Sequence, residues 1–224
     1  KGQYKFEKRV TLEDLMVARG FYQKAVELDS TLITAMIKLA KTFQYTNEFD
    51  TYMELSRKAL NKAKKMGDKT NQAYAYMGIG TAYYFRDGDI DKAQEYYLKG
   101  DEIAQEVGDK VLQTYFLNNL SITYNSKGEI DKALKYMKEM LAIAEELNDK
   151  LTLVYAYTNI GSVYQGKGEL DIWYDYSKRS LAIANEIEYK TGQGYALSNI
   201  ASYHSMKKEY DIALQKYDQA LEIY

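Results

Sequence analysis

Ile90-Asp91-Lys92-Ala93, Ile130-Asp131-Lys132-Ala133, Leu170-Asp171-Ile172-Trp173 and Tyr210-Asp211-Ile212-Ala213 are versions of one segment, each beginning forty residues after the last. A fixed period of this length marks a solenoid, in which each copy contacts only its neighbours and the stack presents one extended concave surface. The architecture and the general task, holding a partner, follow from that. The partner's identity does not.

Between the echoes the pattern is helical. In Ala73–Phe85 and again in Ala93–Val107 apolar residues recur every three or four positions, as one buried helix face requires. Gly88, Gly128 and Gly168 fall between the two helices of a copy, where a left-handed residue ends the first helix at low cost. Asp91, Asp131 and Asp171 follow closely and are expected to cap the second helix. That helix should stop at Gly67-Asp68-Lys69, Gly108-Asp109-Lys110 or Asn148-Asp149-Lys150. Proline, which breaks helix interiors, is absent from the chain.

Aligned on these landmarks, the copies share an order of small residue, aromatic, glycine, apolar residue, alanine, aromatic, small residue. In the third they are Gly80, Tyr83, Gly88, Ile90, Ala93, Tyr97 and Gly100, with Asp87 as a one-residue insertion. The fourth has Ser121, Tyr124, Gly128, Ile130, Ala133, Met137 and Met140. The fifth has Gly161, Tyr164, Gly168, Leu170, Trp173, Ser177 and Ser180, and the sixth Ala201, His204, Lys208, Tyr210, Ala213, Tyr217 and Ala220. The second reads Ala40, Phe43, Asn47, Phe49, Tyr52, Ser56 and Ala59, while the first shows mainly Ala18, Tyr22 and Ala25.

This order resembles the tetratricopeptide repeat over nearly the whole chain. The resemblance implies an all-α, right-handed superhelix of about six helix-turn-helix repeats, a single array over 1–224 with approximate repeats 1–30, 31–70, 71–110, 111–150, 151–190 and 191–224. Ala25 to Ala40 spans fifteen residues, the spacing of the usual thirty-four-residue repeat, whereas Ala59 to Gly80, Gly100 to Ser121, Met140 to Gly161 and Ser180 to Ala201 each span twenty-one. The later repeats thus resemble the forty-residue type of bacterial signalling regulators, peptide-sensing receptors and adaptors. Lys1-Gly2 through Thr11-Leu12-Glu13-Asp14 to Asp29 is similar to the start of arrays attached to bacterial cyclases, kinases and winged-helix regulators. The chain is therefore expected to be a fragment of a longer protein.

Composition narrows the function by exclusion. Thirty basic and thirty-two acidic residues give a net charge of −2, so no basic field gathers phosphates and nucleic acid is not expected as a partner. No apolar run approaches the length of a membrane span, and no membrane partner is expected. The lack of cysteine fits a cytoplasmic location. With one histidine, no cysteine and no glycine-rich loop, neither catalytic residues nor a metal or cofactor site can be named, and a non-enzymatic protein is expected. Lys62–Lys65 and Lys207-Lys208 read as solvated charge.

The resemblance places the first helix of each repeat on the concave groove, and two columns run along those helices. Asn119, Asn159 and Asn199 stand two residues before the small crossing residue, with Gly78 in that place in the third repeat. Tyr74, Tyr115, Tyr155 and Tyr195 lie four residues before this column, on the same helix face. An asparagine amide both donates and accepts, so a ladder of them can hold a peptide backbone whatever its sequence. In related repeat proteins an asparagine here contacts the ligand's backbone or terminal carboxylate. The lysine and arginine of a full carboxylate clamp are replaced by Asn118, Thr158 and Ser198, so carboxylate capture is not expected. An extended peptide or protein segment is the expected partner, although packing explains most of the twenty-four tyrosines.

Three further features carry expectations. Trp173 and Tyr52 replace the small residue at a helix crossing and should widen those hairpins, the alternative being an aromatic hot spot for a partner. His204 takes the place of Tyr83, Tyr124 and Tyr164 as a half-buried ring. Ala213–Tyr224 is a second helix without a polar capping helix after it, so further repeats or a homo-oligomer through this end are expected.

Overall fold

The computed structural model describes residues 11–29 and 31–223, and among them every regular element is helical. The expectations for Lys1-Gly2 and the rest of the first ten residues, and for Ser30 and Tyr224, lie outside the described residues. In order the helices are α1 (Leu12–Leu28), α2 (Ile33–Tyr45), α3 (Phe49–Met66), α4 (Lys69–Ala82), α5 (Ile90–Glu106), α6 (Lys110–Ser126), α7 (Ile130–Glu146), α8 (Lys150–Gly166), α9 (Leu170–Glu186), α10 (Lys190–Met206) and α11 (Tyr210–Leu221). The chain divides into two compact units, Lys1–Thr123 and Tyr124–Tyr224.

In the first unit each helix from α1 to α4 packs on the next, α4 packs on α5, and α2 also touches α4. Ile33, Met36 and Ala40 of α2, Tyr52, Met53, Ala59, Leu60 and Ala63 of α3, and Ala75, Ile79 and Ala82 of α4 form one core. Burying each large side chain contributes about 1.5–3 kcal/mol, and the alanines let the helices approach. Gly80 shows why small residues recur at the crossing: a Cβ there would stand 2.7 Å from Tyr97 Cε1 and 3.1 Å from the Ala93 carbonyl oxygen. The second unit repeats the plan, with α7 on α8, α8 on α9, α9 on α10, α10 on α11, and α8 also against α10. Leu134, Met137, Ile160 and Val163 are buried together there.

Turn glycines behave as expected. Gly88, Gly128 and Gly168 take φ of +64°, +75° and +77°. Lys208 occupies the same place in the last repeat with φ of 65°, where an L side chain costs roughly 1–2 kcal/mol. Lys208→Gly is therefore expected to raise stability by about 0.5–1 kcal/mol after the added chain entropy of glycine, read as a higher urea midpoint. The inserted residue at Asp87 is absorbed locally. Tyr83–Asp87 forms a π-helical turn closed by Asp89 N–H donating to the Tyr83 carbonyl, where Glu129 and Glu169 donate to Tyr124 and Tyr164 one residue nearer.

The capping expectation is corrected. Asp91, Asp131 and Asp171 lie inside the first turn of α5, α7 and α9, not at the cap. The cap must be the extended residue just before the first helical one, which after the left-handed glycine is Asp89, Glu129 or Glu169. Of these only Asp89 accepts a backbone N–H, from Lys92. The aspartates inside the turn still favour the positive end of the helix dipole. Side-chain capping falls on three of the first helices instead: Asp68, Asp109 and Asp149, before α4, α6 and α8, accept from the N–H of Asn71, Leu112 and Thr152.

Trp173 and Tyr52 are both buried. Tyr52 lies in the core with Tyr97, whose hydroxyl is 3.2 Å from Thr81 Oγ1. Burial pushes both phenols well above the ordinary value of 10.0. A raised phenol favours the folded state fully below its unfolded value, and that contribution is lost as pH climbs past about 10. The urea midpoint is expected to fall steeply above that pH and less steeply in Tyr97→Phe.

Candidate functional site

In the second compact unit α8 and α10 lie side by side, and each carries one member of both columns. Tyr155 is 43% exposed and Tyr195 60%. Asn159 and Asn199, one turn further along, are half-buried. Four-residue spacing puts each tyrosine and asparagine on one helix face. Among the described residues, no group hydrogen-bonds the side-chain amide of Asn199. Tyr155 also meets a residue that the column pattern does not include: its hydroxyl lies 2.9 Å from that of Tyr189, and the two rings meet edge to face at 6.1 Å. Tyr189 stands at the N-cap of α10, and its ring lies over Gly192, where a Cβ would come within 2.6 Å of Cδ1. The visible signal was a tyrosine at a cap position that holds aspartate in α4, α6 and α8.

Thr158, at a position where a carboxylate clamp would carry a cation, is committed to packing. Its hydroxyl donates to the Val154 carbonyl and lies 2.9 Å from Ser180 Oγ of α9. Ser198 accepts through its carbonyl from the Ser202 hydroxyl.

The first compact unit holds Tyr74 on α4 and Tyr115 and Asn119 on α6. Tyr115 is 46% exposed, while Tyr74 and Asn119 are half-buried. Partial burial raises the Tyr74 phenol above its usual value, and the Asp109 carboxylate and Tyr115 add to this. The asparagine column has no member on α4 for a steric reason. A Cβ at Gly78 would stand 2.3 Å from Ser56 Oγ, so this place has no room for a side chain.

A second aromatic system lies between the helices of three hairpins. Tyr83 stacks on Tyr96, Tyr124 on Tyr136 and Tyr164 on Tyr176, at 5.5, 5.2 and 5.9 Å. Lys92, Lys132 and Lys167 lie over the first ring of each pair at 5.1–5.5 Å, each contact worth about 0.5–1 kcal/mol where exposed. His204 takes the equivalent place in the last repeat. Its ring is edge-on to Tyr174 and Tyr203, and Nδ1 hydrogen-bonds Glu209.

Among the described residues no group of histidine and carboxylate side chains is arranged to hold a metal ion, and no helix is long and apolar enough to cross a membrane. What the two columns offer is amide hydrogen bonding beside exposed aromatic rings, a chemistry of holding.

Comparison with known proteins agrees with this architecture. The tetratricopeptide repeat family profile matches residues 71–146 and 152–224. No curated protein matches the chain. Among solved structures, BtubC (BKLC) from P. vanneervenii is 20% identical with a TM-score of 0.77, over 95% of this chain and 89% of that one. A signal-transduction ATPase with a tetratricopeptide repeat sensor, from Pyrococcus horikoshii, is 17% identical with a TM-score of 0.74, over 90% of this chain and 33% of that one. A Rap protein complexed with Competence and Sporulation Factor is 15% identical with a TM-score of 0.72, over 93% of this chain and 64% of that one. At these identities the likeness is one of fold.

Proposed function

The chain belongs to the tetratricopeptide repeat family, and on that premise we propose that it is a non-enzymatic scaffold or sensor module that holds an extended peptide or protein segment. The observation that carries this reading is the open face of α8 and α10, where Tyr155 and Tyr195 are exposed beside half-buried Asn159 and Asn199. Asn119 with Tyr115 and Tyr74 offers the same chemistry in the first unit. A structural neighbour, the Rap protein, is seen in complex with Competence and Sporulation Factor, and another carries its repeats as a sensor. Both support a ligand-holding role.

Each amide–backbone hydrogen bond is worth about 0.5–1.5 kcal/mol net, so three contribute roughly 2–4 kcal/mol. Asn119/Asn159/Asn199→Ala is thus expected to weaken a partner captured from lysate by about 30- to 700-fold, with unchanged circular dichroism. Partners retained at full affinity by the folded triple variant would sink the reading.

A specific observation favours self-association as a second reading. On α11 Tyr210, Leu214 and Leu221 are 65%, 62% and 72% exposed along one face, whereas on α7 the Leu134 and Met137 face is buried in contact with α8 residues. A second copy laid on the α11 face would make the chain a self-associating arm of a signalling protein. Sedimentation velocity decides it: a strict monomer at high concentration, or a dimer untouched by Leu214→Glu, counts against it.

A further inference from the structure

We propose that the segment held by the second compact unit is an extended peptide without charged side chains, bound independently of salt; this rests on the groove reading above. The first helices from α4 onward are nearly free of charge. Residues 70–85, 111–126, 151–166 and 191–206 contain no aspartate, glutamate, lysine or arginine, in a chain in which 28% of residues are charged. The helices that follow them, by contrast, are rich in both signs, as in Asp131, Lys132, Lys135, Lys138 and Glu139 of α7.

Packing explains the absence only at buried positions. Tyr155, Ser162, Tyr195 and Met206 are exposed, and an exposed helix position accepts Lys or Glu at no packing cost. Nor is it a rule for first helices in this chain, since α2 carries Lys38 and Lys41. Each of the two helices carries a single cation, at its first residue: Lys150 pairs with Glu186 at the end of α9, and Lys190 is exposed at the start of α10, more than one turn before Tyr195. The face between is therefore lined by phenols, hydroxyls and amides.

Such a face discriminates by desolvation. A charged ligand side chain laid against it leaves water without a countercharge, which is costly. Neutral side chains lose little, and the backbone finds the Asn159 and Asn199 amides. With no ion pair formed, screening has nothing to weaken.

The test is a selection from a phage-displayed library of about twelve random residues on the whole chain. Selected peptides are synthesised and their affinity measured in about 50 mM and about 500 mM NaCl, on the native chain and on Asn159→Ala/Asn199→Ala. The expected result is peptides with neutral central residues, less than about a twofold change in affinity across that salt range, and at least about a fivefold loss in the double variant. Charged peptides that weaken about tenfold or more with salt, yet still depend on the two asparagines, overturn the neutral-ligand inference and leave the groove reading standing. Peptides that bind the double variant undiminished overturn both. A selection that yields no binder does the same, because a short extended segment is the ligand claimed.

Discussion

Trp173→Ala is expected to lower the unfolding free energy by about 3–5 kcal/mol, the cost of removing a large aromatic side chain from a close-packed interior. Trp173 is 1% exposed and occupies a site that is alanine at 93, 133 and 213. It fits because its neighbours are small. A Cβ on Gly161 would already stand 3.3 Å from the indole Cδ1, and position 177, where the third and sixth repeats carry tyrosine and the fourth methionine, holds Ser177. The pair Ala93 and Tyr97 is thus exchanged for Trp173 and Ser177, with the bulk moved by one helical turn. Tyr52 and Ser56 make the same exchange in the first compact unit. Adding Ser177→Tyr to Trp173→Ala should accordingly return part of the loss, about 1–2 kcal/mol. Urea unfolding of the two variants checks it, and a double variant no more stable than Trp173→Ala would show that the indole is filling a different space.

Gly100→Ala is the second large effect, and its sign runs against helix propensity. In an exposed helix this change would gain about 1 kcal/mol. Here the new Cβ would lie 2.2 Å from Phe116 Cζ and 2.3 Å from Cε1. Phe116 is fully buried, so the clash has to be relieved by moving α5 from α6 or forcing the ring off its rotamer. Overpacking of this kind costs about 1–3 kcal/mol beyond the propensity gain. The net expectation is a loss of roughly 2 kcal/mol, with Phe116→Leu suppressing it by at least about 1 kcal/mol in a double-mutant cycle. Gly20→Ala is the control: it lies in α1 with no atom within 4 Å of the added carbon, and should stabilise by about 0.5–1 kcal/mol.

The boundary between what was legible and what was not follows sequence separation. Helix type, turn positions and repeat register were legible because they depend on residues a few positions apart. Apolar spacing of three and four marked the buried faces, and Gly88, Gly128 and Gly168 marked the left-handed turns. The insertion at Asp87 was visible as a count, although only the structure showed a π-helical turn taking it up. Asp91, Asp131 and Asp171 failed as caps because a cap is decided by one backbone conformation, and the sequence pattern was two residues too coarse to find it. For the candidate site, the columns of Asn119, Asn159 and Asn199 and of Tyr74, Tyr115, Tyr155 and Tyr195 could be read as shared helix faces. Their surroundings could not.

By itself, then, the sequence determined an all-α tetratricopeptide fold and which residues share a helix face, since both arise from the 3.6-residue turn and its local interruptions. Only the tertiary structure decided that Tyr155 meets Tyr189, that Thr158 is spent on Ser180, that Gly78 has no room for the column's next asparagine, and that Ser177 makes space for Trp173. The first two pairs lie 34 and 22 residues apart. Contacts at that distance are set by how helices pack, where the volume of one side chain fixes the room left for another.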